Sequence, residues 1–439
     1  MTELPTGWVL ANVDDLIDLN PKNSSIDDKA IVGFVPRPWV EVKKGYTHFQ
    51  DGDVLLAKIT PCFENGKAGL VKGLPNGLGA GSTEYFVNRP KTDLLDPRYL
   101  LAMFKTATFL RNGALEMTGS VGHKRVPKDY LTEASVPLAP RGEQTRIADK
   151  LDTVLARVDA CRDRLVRIPD ILKLFRQSVL NAATSGKLSV DWRGGSAPDW
   201  AYERAAEVCA KVQSGGTPKE GFAERGVPFL KVYNIVDQKV AFDYKPQFID
   251  PAIHKGSMAK SQTLPGDVLM NIVGPPLGKV AVVPKTHPVW NINQAITLFR
   301  PSSHASTGWL YIVLCGGKNI AHIVHETKGS AGQVNISLSQ CRDFVFPVPS
   351  VEEQAEIVRR VETLFAFADK LEARYTAARA HTDRLTPALL AKAFRGELVA
   401  QDPDDEPASK LLAGIASKEE SPKTRQRRAR QAMPSFEAD

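Results

Sequence analysis

The chain of 439 residues has no apolar run of about eighteen, the length a membrane-spanning helix requires. Its start, Met1-Thr2-Glu3-Leu4-Pro5, lacks the basic and apolar stretches of a secretory signal, so the expected location is the cytoplasm. Five cysteines, Cys62, Cys161, Cys209, Cys315 and Cys341, include no close pair. That argues against a disulfide framework or a zinc knuckle and for small, reduced, buried side chains. Catalytic signatures are missing too. Gly77-Leu78-Gly79-Ala80-Gly81 has the glycine spacing of a nucleotide loop but follows Pro75-Asn76 rather than a strand, and reads as a flexible turn. Gly274-Pro275-Pro276-Leu277-Gly278-Lys279 is too short for a phosphate loop, and Val280 stands where Ser or Thr would hold a metal; it reads as a turn between strands. His322 and His325 lack a glutamate placed for a zinc hydrolase and read as helix surface. There is no acidic Pro-Pro-aromatic signature of an adenine methyltransferase, and Pro169-Asp170 with Lys173 is too little for a nuclease. The expectation is a chain with no catalysis and no metal of its own.

What is present begins with charge. Lys and Arg number 57 against 50 Asp and Glu, a formal net charge of +7. Such an excess suits a polyanion, because basic side chains facing phosphates release condensed counterions. Part of it sits near the C-terminus, where Lys418, Lys423, Arg425, Arg427, Arg428 and Arg430 lie among Ser, Pro, Gln and Ala. A segment of that composition buries little apolar surface, so residues 401–439 are expected to be a disordered basic tail that either brushes DNA or is simply solvated. The length of 439 residues suits about three domains, and 43% hydrophobic residues supply each with a core.

The strongest signal is an internal repeat. Residues 116–188 align without a gap on 326–398, an offset of 210, and share Glu116/Glu326, Gly119/Gly329, Gly122/Gly332, Pro137/Pro347, Glu143/Glu353, Gln144/Gln354, Asp159/Asp369, Gly186/Gly396 and Leu188/Leu398 among others. A duplicated unit is the economical explanation. Within each copy apolar residues recur at alternating spacings of four and three. The first ladder is Ile147, Leu151, Val154, Val158, Cys161, Leu165, Ile168, Leu172, Phe175 and Val179. The second is Ile357, Val361, Leu364, Ala368, Leu371, Tyr375, Ala378, Thr382, Leu385 and Leu389. That is the seam of a helix packed on another helix, and each would be roughly 48 Å long at about 1.5 Å per residue. Small residues in one ladder face large ones in the other, so the simplest solution is an antiparallel pair formed by the chain with itself. Pro169 and Pro387 fall inside the ladders, where a kink or a break is expected.

Upstream of each ladder the pattern is mixed strand and loop. Gly52-Asp53-Val54-Leu55 answers Gly266-Asp267-Val268-Leu269, Gly66-Lys67 answers Gly278-Lys279, and Arg89-Pro90 answers Arg300-Pro301. The offset there drifts, so the two globular segments differ by insertions while the helices stay in register. The expected fold class is α+β: globular segments 1–140 and 196–350, each mixed α/β, alternating with helical regions 141–195 and 351–400, which pair as an antiparallel coiled coil about a pseudo-two-fold repeat.

Two divergent heads on matched rods resemble the specificity (S) subunit of type I restriction-modification enzymes, most nearly the type IA branch. The residues that carry the resemblance are Glu143-Gln144-Thr145-Arg146-Ile147-Ala148, Ile168-Pro169-Asp170-Ile171-Leu172-Lys173, Glu353-Gln354-Ala355-Glu356-Ile357 and Leu390-Ala391-Lys392-Ala393-Phe394-Arg395-Gly396-Glu397-Leu398. The resemblance implies two target recognition domains, each reading half of an asymmetric, split DNA sequence, with the helices fixing the gap. A rod of that length would hold two heads about one duplex turn (~34 Å) or more apart. It also implies a subunit that is noncatalytic by itself yet required for a site-specific deoxyribonuclease and adenine-N6 methyltransferase complex. Its partners would be double-stranded DNA, two modification (M) subunits and two restriction (R) subunits, with no membrane. S-adenosylmethionine, ATP and Mg2+ would belong to those partners, and none to this chain.

Base contacts should come from polar and basic loop residues. In the first head these are Lys58, Thr60, Asn65 and Lys67, then His123, Lys124 and Arg125; in the second they are Lys231, Asn234, Asn271, Lys279 and Gln333. Arg146, Arg157, Arg359 and Arg360 on the outer rod faces are candidates for docking the M subunit. Two other readings remain open: a single-chain restriction-methylation enzyme with an unrecognised catalytic part, and a stand-alone DNA-binding adaptor or repressor with no modification partner.

Overall fold

A computed structural model describes residues 4–22, 31–34, 40–41, 46–91, 93–120, 122–326 and 335–419. The chain forms two compact units that cut across the linear segments expected from sequence. One joins Met1–Leu165 with Ala377–Asp439, and the other is Val166–Thr376. The reason lies in the cores. The first head buries Trp8, Leu56, Phe63, Tyr99 and Phe104 together with Ile147 and Leu151 from the helix that follows it. Leu390, Ala393 and Ala408, from the far end of the chain, complete that cluster.

The first unit contains two four-stranded sheets. In one, Ile17–Leu19, Tyr85–Pro90, Val54–Ala57 and Ala68–Leu70 lie in that order, all antiparallel. In the other the order is Val40–Glu41, Ile31–Phe34, Leu78–Gly81 and Thr47–Gln50, with Ile31–Phe34 parallel to Leu78–Gly81. Residues 78–81, expected to be a flexible turn, are therefore a strand. A β-carbon at Gly79 would come within 2.2 Å of the Phe49 ring, so glycine lets an aromatic side chain lie against the backbone.

The second unit repeats this topology strand for strand. Lys211–Ser214, Ile296–Arg300, Val268–Asn271 and Val280–Val282 form the antiparallel sheet. Phe248–Ile249, Val227–Leu230, Trp290–Ile292 and Gln262–Thr263 form the other, again with one parallel pair. Its addition is the hairpin of Ile235–Val236 and Lys239–Val240. Each unit also has a two-stranded ribbon that joins the start of its head to the strand before its helix, Val9–Asn12 with Ser135–Leu138 and Ala201–Arg204 with Val345–Val348.

The repeated motifs acquire physical reasons. Asp53, fully buried, takes a two-pronged ion pair from Arg89 at 2.8 and 2.9 Å, and Asp267 takes the same from Arg300. Gln144 donates to the Leu94 and Ala139 carbonyls and accepts from Asp96 N, all at 2.9 Å. Gln354 does the same with His304, Pro349 and Ser306. Each glutamine thus satisfies three backbone groups that burial would otherwise leave unpaired. Gly186 and Gly396 end their helices at φ of +74° and +71°, and a β-carbon there would press on Pro198 or Pro5.

The helical regions behave as the seam predicts. Ile147, Leu151, Val158, Leu172, Val179, Ile357, Val361, Ala368 and Thr382 are buried. Val154, Leu165, Ile168, Phe175, Leu364, Leu371, Tyr375, Leu385 and Leu389 are half-buried, and Cys161 and Ala378 are exposed. Within the first unit, Arg162 reaches Thr386 Oγ1 at 3.1 Å while Ile147 and Leu151 cluster with Leu390 and Ala393. Within the second, Arg176 reaches Asp369 and Glu372 at 2.7 Å, and Arg360 reaches the Leu188 carbonyl at 2.7 Å. Both sets pair ascending with descending numbers, so the helices run antiparallel.

The two prolines part company. The first region breaks into Arg141–Val166 and Ile168–Thr184, with Pro169 at the start of the second piece. Pro387 lies within one unbroken helix, Val351–Ala393. The tail also departs from expectation, because Ala408–Glu419 is a helix whose Ala408 is fully buried, and Asp405 pairs with Arg146 at 2.6 Å. Leu411 and Leu412 pack on the first unit's core and explain the difference. Lys423, Arg425, Arg427, Arg428 and Arg430 lie outside the described residues.

Candidate nucleic-acid interface

In the first head three segments meet at the end of the Val54–Ala57 strand. Lys58 N donates to the Glu84 carbonyl at 3.0 Å, Val126 N to the Lys58 carbonyl at 2.9 Å, and Thr60 N to the Lys124 carbonyl at 2.9 Å. Lys58, Thr60, His123, Lys124 and Arg125 are thereby brought to one place. Thr60 is half-buried, whereas His123, Lys124 and Arg125 are exposed. The Lys58 ammonium stands 5.4 Å from the centre of the Phe86 ring. Asn65 and Lys67, both exposed, sit on the turn that returns to Ala68–Leu70, where Lys67 N donates to Cys62 and the Lys67 carbonyl accepts from Ala57. Glu84 was not anticipated from sequence. It takes Arg125 through both oxygens, at 2.8 and 2.9 Å, and that guanidinium holds its carboxyl below the ordinary carboxylate range.

The second head uses the same backbone frame. Ile272 N donates to the Ala295 carbonyl and Ile336 N to the Ile272 carbonyl, both at 2.9 Å. The side chains differ. Asn271 is buried, donates to the Pro276 carbonyl at 2.9 Å and accepts from Lys279 N at 2.6 Å, so it shapes the loop of residues 273–279 instead of pointing outward. Asn234 is buried as well, donating to the Ala241 and Tyr244 carbonyls and accepting from Lys231 N. Both asparagines are corrected from candidate readers to loop builders: their short amides find backbone partners before they find solvent. Lys231, half-buried, stands 4.5 Å over the Phe222 ring. Lys279 is half-buried in the loop, and Gln333 lies outside the described residues.

The added hairpin braces this loop, since Gln238 at its turn accepts from Val280 N at 2.5 Å. Close by in sequence, exposed Tyr244 packs edge-on to Tyr233 and carries the Lys245 ammonium 5.3 Å above its ring. An exposed aromatic beside a cation suits stacking and phosphate contact together. Nothing in the sequence pattern singled it out, because the two tyrosines are eleven residues apart.

Of the rod arginines, Arg146 is committed to Asp405 and Arg360 to Asp191 and Glu356. Both tie their own unit together. Arg157 is exposed, and Arg359 is exposed and pairs with the nearby Glu356. Among the described residues no group of three or more His, Cys, Asp or Glu is placed to hold a metal, and no helix is long and apolar enough to cross a membrane.

Two heads of one topology, carrying different side chains on the same loop frame and joined to repeated helices, define a duplicated recognition scaffold. The family model for the type I restriction modification DNA specificity domain matches residues 6–168 and again 198–378. The chain belongs to that family. It is 37% identical over 201 residues to the type I restriction enzyme EcoAI specificity subunit of Escherichia coli, a match that covers 42% of this chain and 34% of that subunit. To the EcoEI specificity subunit of the same species it is 26% identical over 492 aligned positions, covering 88% and 82%. A chain solved in a study of complex assembly and conformational transition of the type I restriction-modification system has the same fold, with a TM-score of 0.68 at 22% identity over 90% of this chain and all of that one.

Proposed function

We propose that this chain is the DNA specificity subunit of a type I restriction-modification complex, and that each head reads one half of an asymmetric, bipartite duplex target whose gap the helices set. The observation that carries the reading is the shared frame at Lys58 and Ile272. Two of its backbone hydrogen bonds recur in the second head, and the side chains they present differ. A duplication that keeps its scaffold and changes its loops reads two different sequences. The net charge of +7 suits a duplex partner. Specificity subunits are noncatalytic components, so adenine-N6 methylation and DNA cleavage belong to the M and R subunits with which this chain assembles, two of each. Those subunits would bring S-adenosylmethionine, ATP and Mg2+, and this chain would bind none of them. A cytoplasmic location follows from the same reading.

The test is reconstitution. Purified chain, cognate M subunits and S-adenosylmethionine are expected to methylate one bipartite sequence, with no methylation when either protein is omitted. Methylation by M alone at the same sites, or S-adenosylmethionine binding by this chain alone, would contradict the assignment.

A further inference from the structure

The ion pair of Glu84 and Arg125 stands where the three loop segments of the first head converge, and nothing in the fold requires charge at that point. In the second head two bonds of the same frame form without it. Glu84 and Arg125 occupy the positions that Ala295 and Asn335 occupy there, since Lys58 N bonds to Glu84 O as Ile272 N bonds to Ala295 O, and Val126 and Ile336 follow Arg125 and Asn335. A neutral pair therefore supports the same backbone.

The geometry of the pair is that of a braced fork. A guanidinium has five N–H groups in one plane. Arg125 gives Nε–H to Glu84 Oε2 at 2.9 Å, one Nη2–H to Glu84 Oε1 at 2.8 Å, and one Nη1–H to the His123 carbonyl at 3.2 Å. One N–H on each terminal nitrogen is left. The side chain is exposed, yet anchored from its Nε side and along its own backbone.

We propose that Arg125, oriented by Glu84, reads a guanine in the half-site of the first head, donating from Nη1 and Nη2 to guanine O6 and N7 in the major groove. Two parallel acceptors on one base edge match two parallel donors, and guanine is the base that presents them. A phosphate is the poorer partner here. Glu84 already neutralises the guanidinium, and its carboxylate would repel a phosphate, whereas a base edge carries no net charge. Lys58, which also helps hold the Glu84 carboxyl down, and the exposed Lys124 lie close by and suit the flanking phosphates. The assignment rests on the reading of the chain as a DNA specificity subunit, and Glu84 acts as a positioning residue through Arg125.

The experiment uses the full chain assembled with its cognate M subunits and a DNA library randomised across both half-sites, with the methylated sequences read out. Wild type is expected to require guanine at one position of one half-site. Arg125→Lys, which keeps the charge and loses the fork, and Arg125→Ala are each expected to cut that preference roughly 10- to 100-fold, leaving the second half-site and the gap unchanged. Glu84→Gln is expected to relax the same position and no other. The double variant Glu84→Ala with Arg125→Asn carries the residue types the second head tolerates, so retained methylation of the second half-site reports a folded complex. Uniform weakening with the base preference intact, or full retention in Arg125→Lys, assigns Arg125 to a phosphate or to structure and overturns the proposal while leaving the specificity reading standing. Failure of wild type to methylate any bipartite site removes both.

Discussion

At the scale of single residues the duplication preserves one joint and lets its surroundings diverge. Trp8 donates from its indole to Glu143 at 2.9 Å, and Trp200 donates to Glu353 at 2.9 Å. In the second unit Ser189 and Arg193 also hold Glu353. In the first, Glu143 Oε1 is buried and receives no donor from the described residues. Burial accordingly pushes the Glu143 carboxyl up, against the opposing influence of the Trp8 bond and of Arg146. A raised acid binds its proton more tightly folded than unfolded, so its contribution to stability is complete below the ordinary carboxylate range and is lost as pH rises through the raised value. Glu143→Gln keeps an acceptor for Trp8 and has no such dependence. Thermal unfolding from pH 4 to 7 is expected to show the wild type losing ground to the variant as pH rises, by on the order of 1 kcal/mol at neutrality. Parallel curves would contradict it. The shared Glu143/Glu353 pair was visible in the sequence, but its tryptophan partners were not, because they lie 135 and 153 residues upstream. For the same reason Arg125 was legible as a polar loop residue and Glu84, 41 residues before it, was not. Residue type alone does not say whether an amide such as Asn234 or Asn271 faces solvent or its own loop.

At the scale of elements, periodicity was the reliable signal. A helix repeats its faces every three or four residues, so the seam was legible wherever it was long, and all but Cys161 and Ala378 of its members are at least half-buried. The strands were harder. Gly-Asp-Val-Leu announces a turn and a strand, but the pairing order follows from contacts far apart in the chain, and residues 78–81 looked like a loop because glycine supplies no pattern. Of the two prolines only Pro169 marks a break in its helical region. Pro169 sits in the first turn of its helix, where an N–H has no intrahelical partner anyway, whereas Pro387 removes a hydrogen bond from an interior position. Pro387→Ala is therefore expected to stabilise the chain by about 1–3 kcal/mol, and Pro169→Ala to change it by less than about 1 kcal/mol. Denaturant titration of the two variants checks the order, and a larger gain from Pro169→Ala would contradict the positional argument.

At the scale of the whole molecule, the first unit is completed by a piece of chain remote in sequence, whereas the second is one continuous stretch. The first closes its core with residues from 377 onward, and the second begins at Val166, within the helical region that follows the first head. The duplication suggested two heads and two rods in series, and nothing in a linear pattern says that the last turns of the second rod belong to the first head. That closure gives the head a natural boundary. Residues 13–134 lie between the two strands of the first ribbon, so exchanging them leaves Trp8, Glu143 and the helices in place. If each head reads its own half-site, replacing residues 13–134 with the corresponding segment of another family member and mapping methylated adenines across a genome that carries the system should give a target with one new half, the other half and the gap unchanged. A target altered in both halves, or in its gap, would contradict the account.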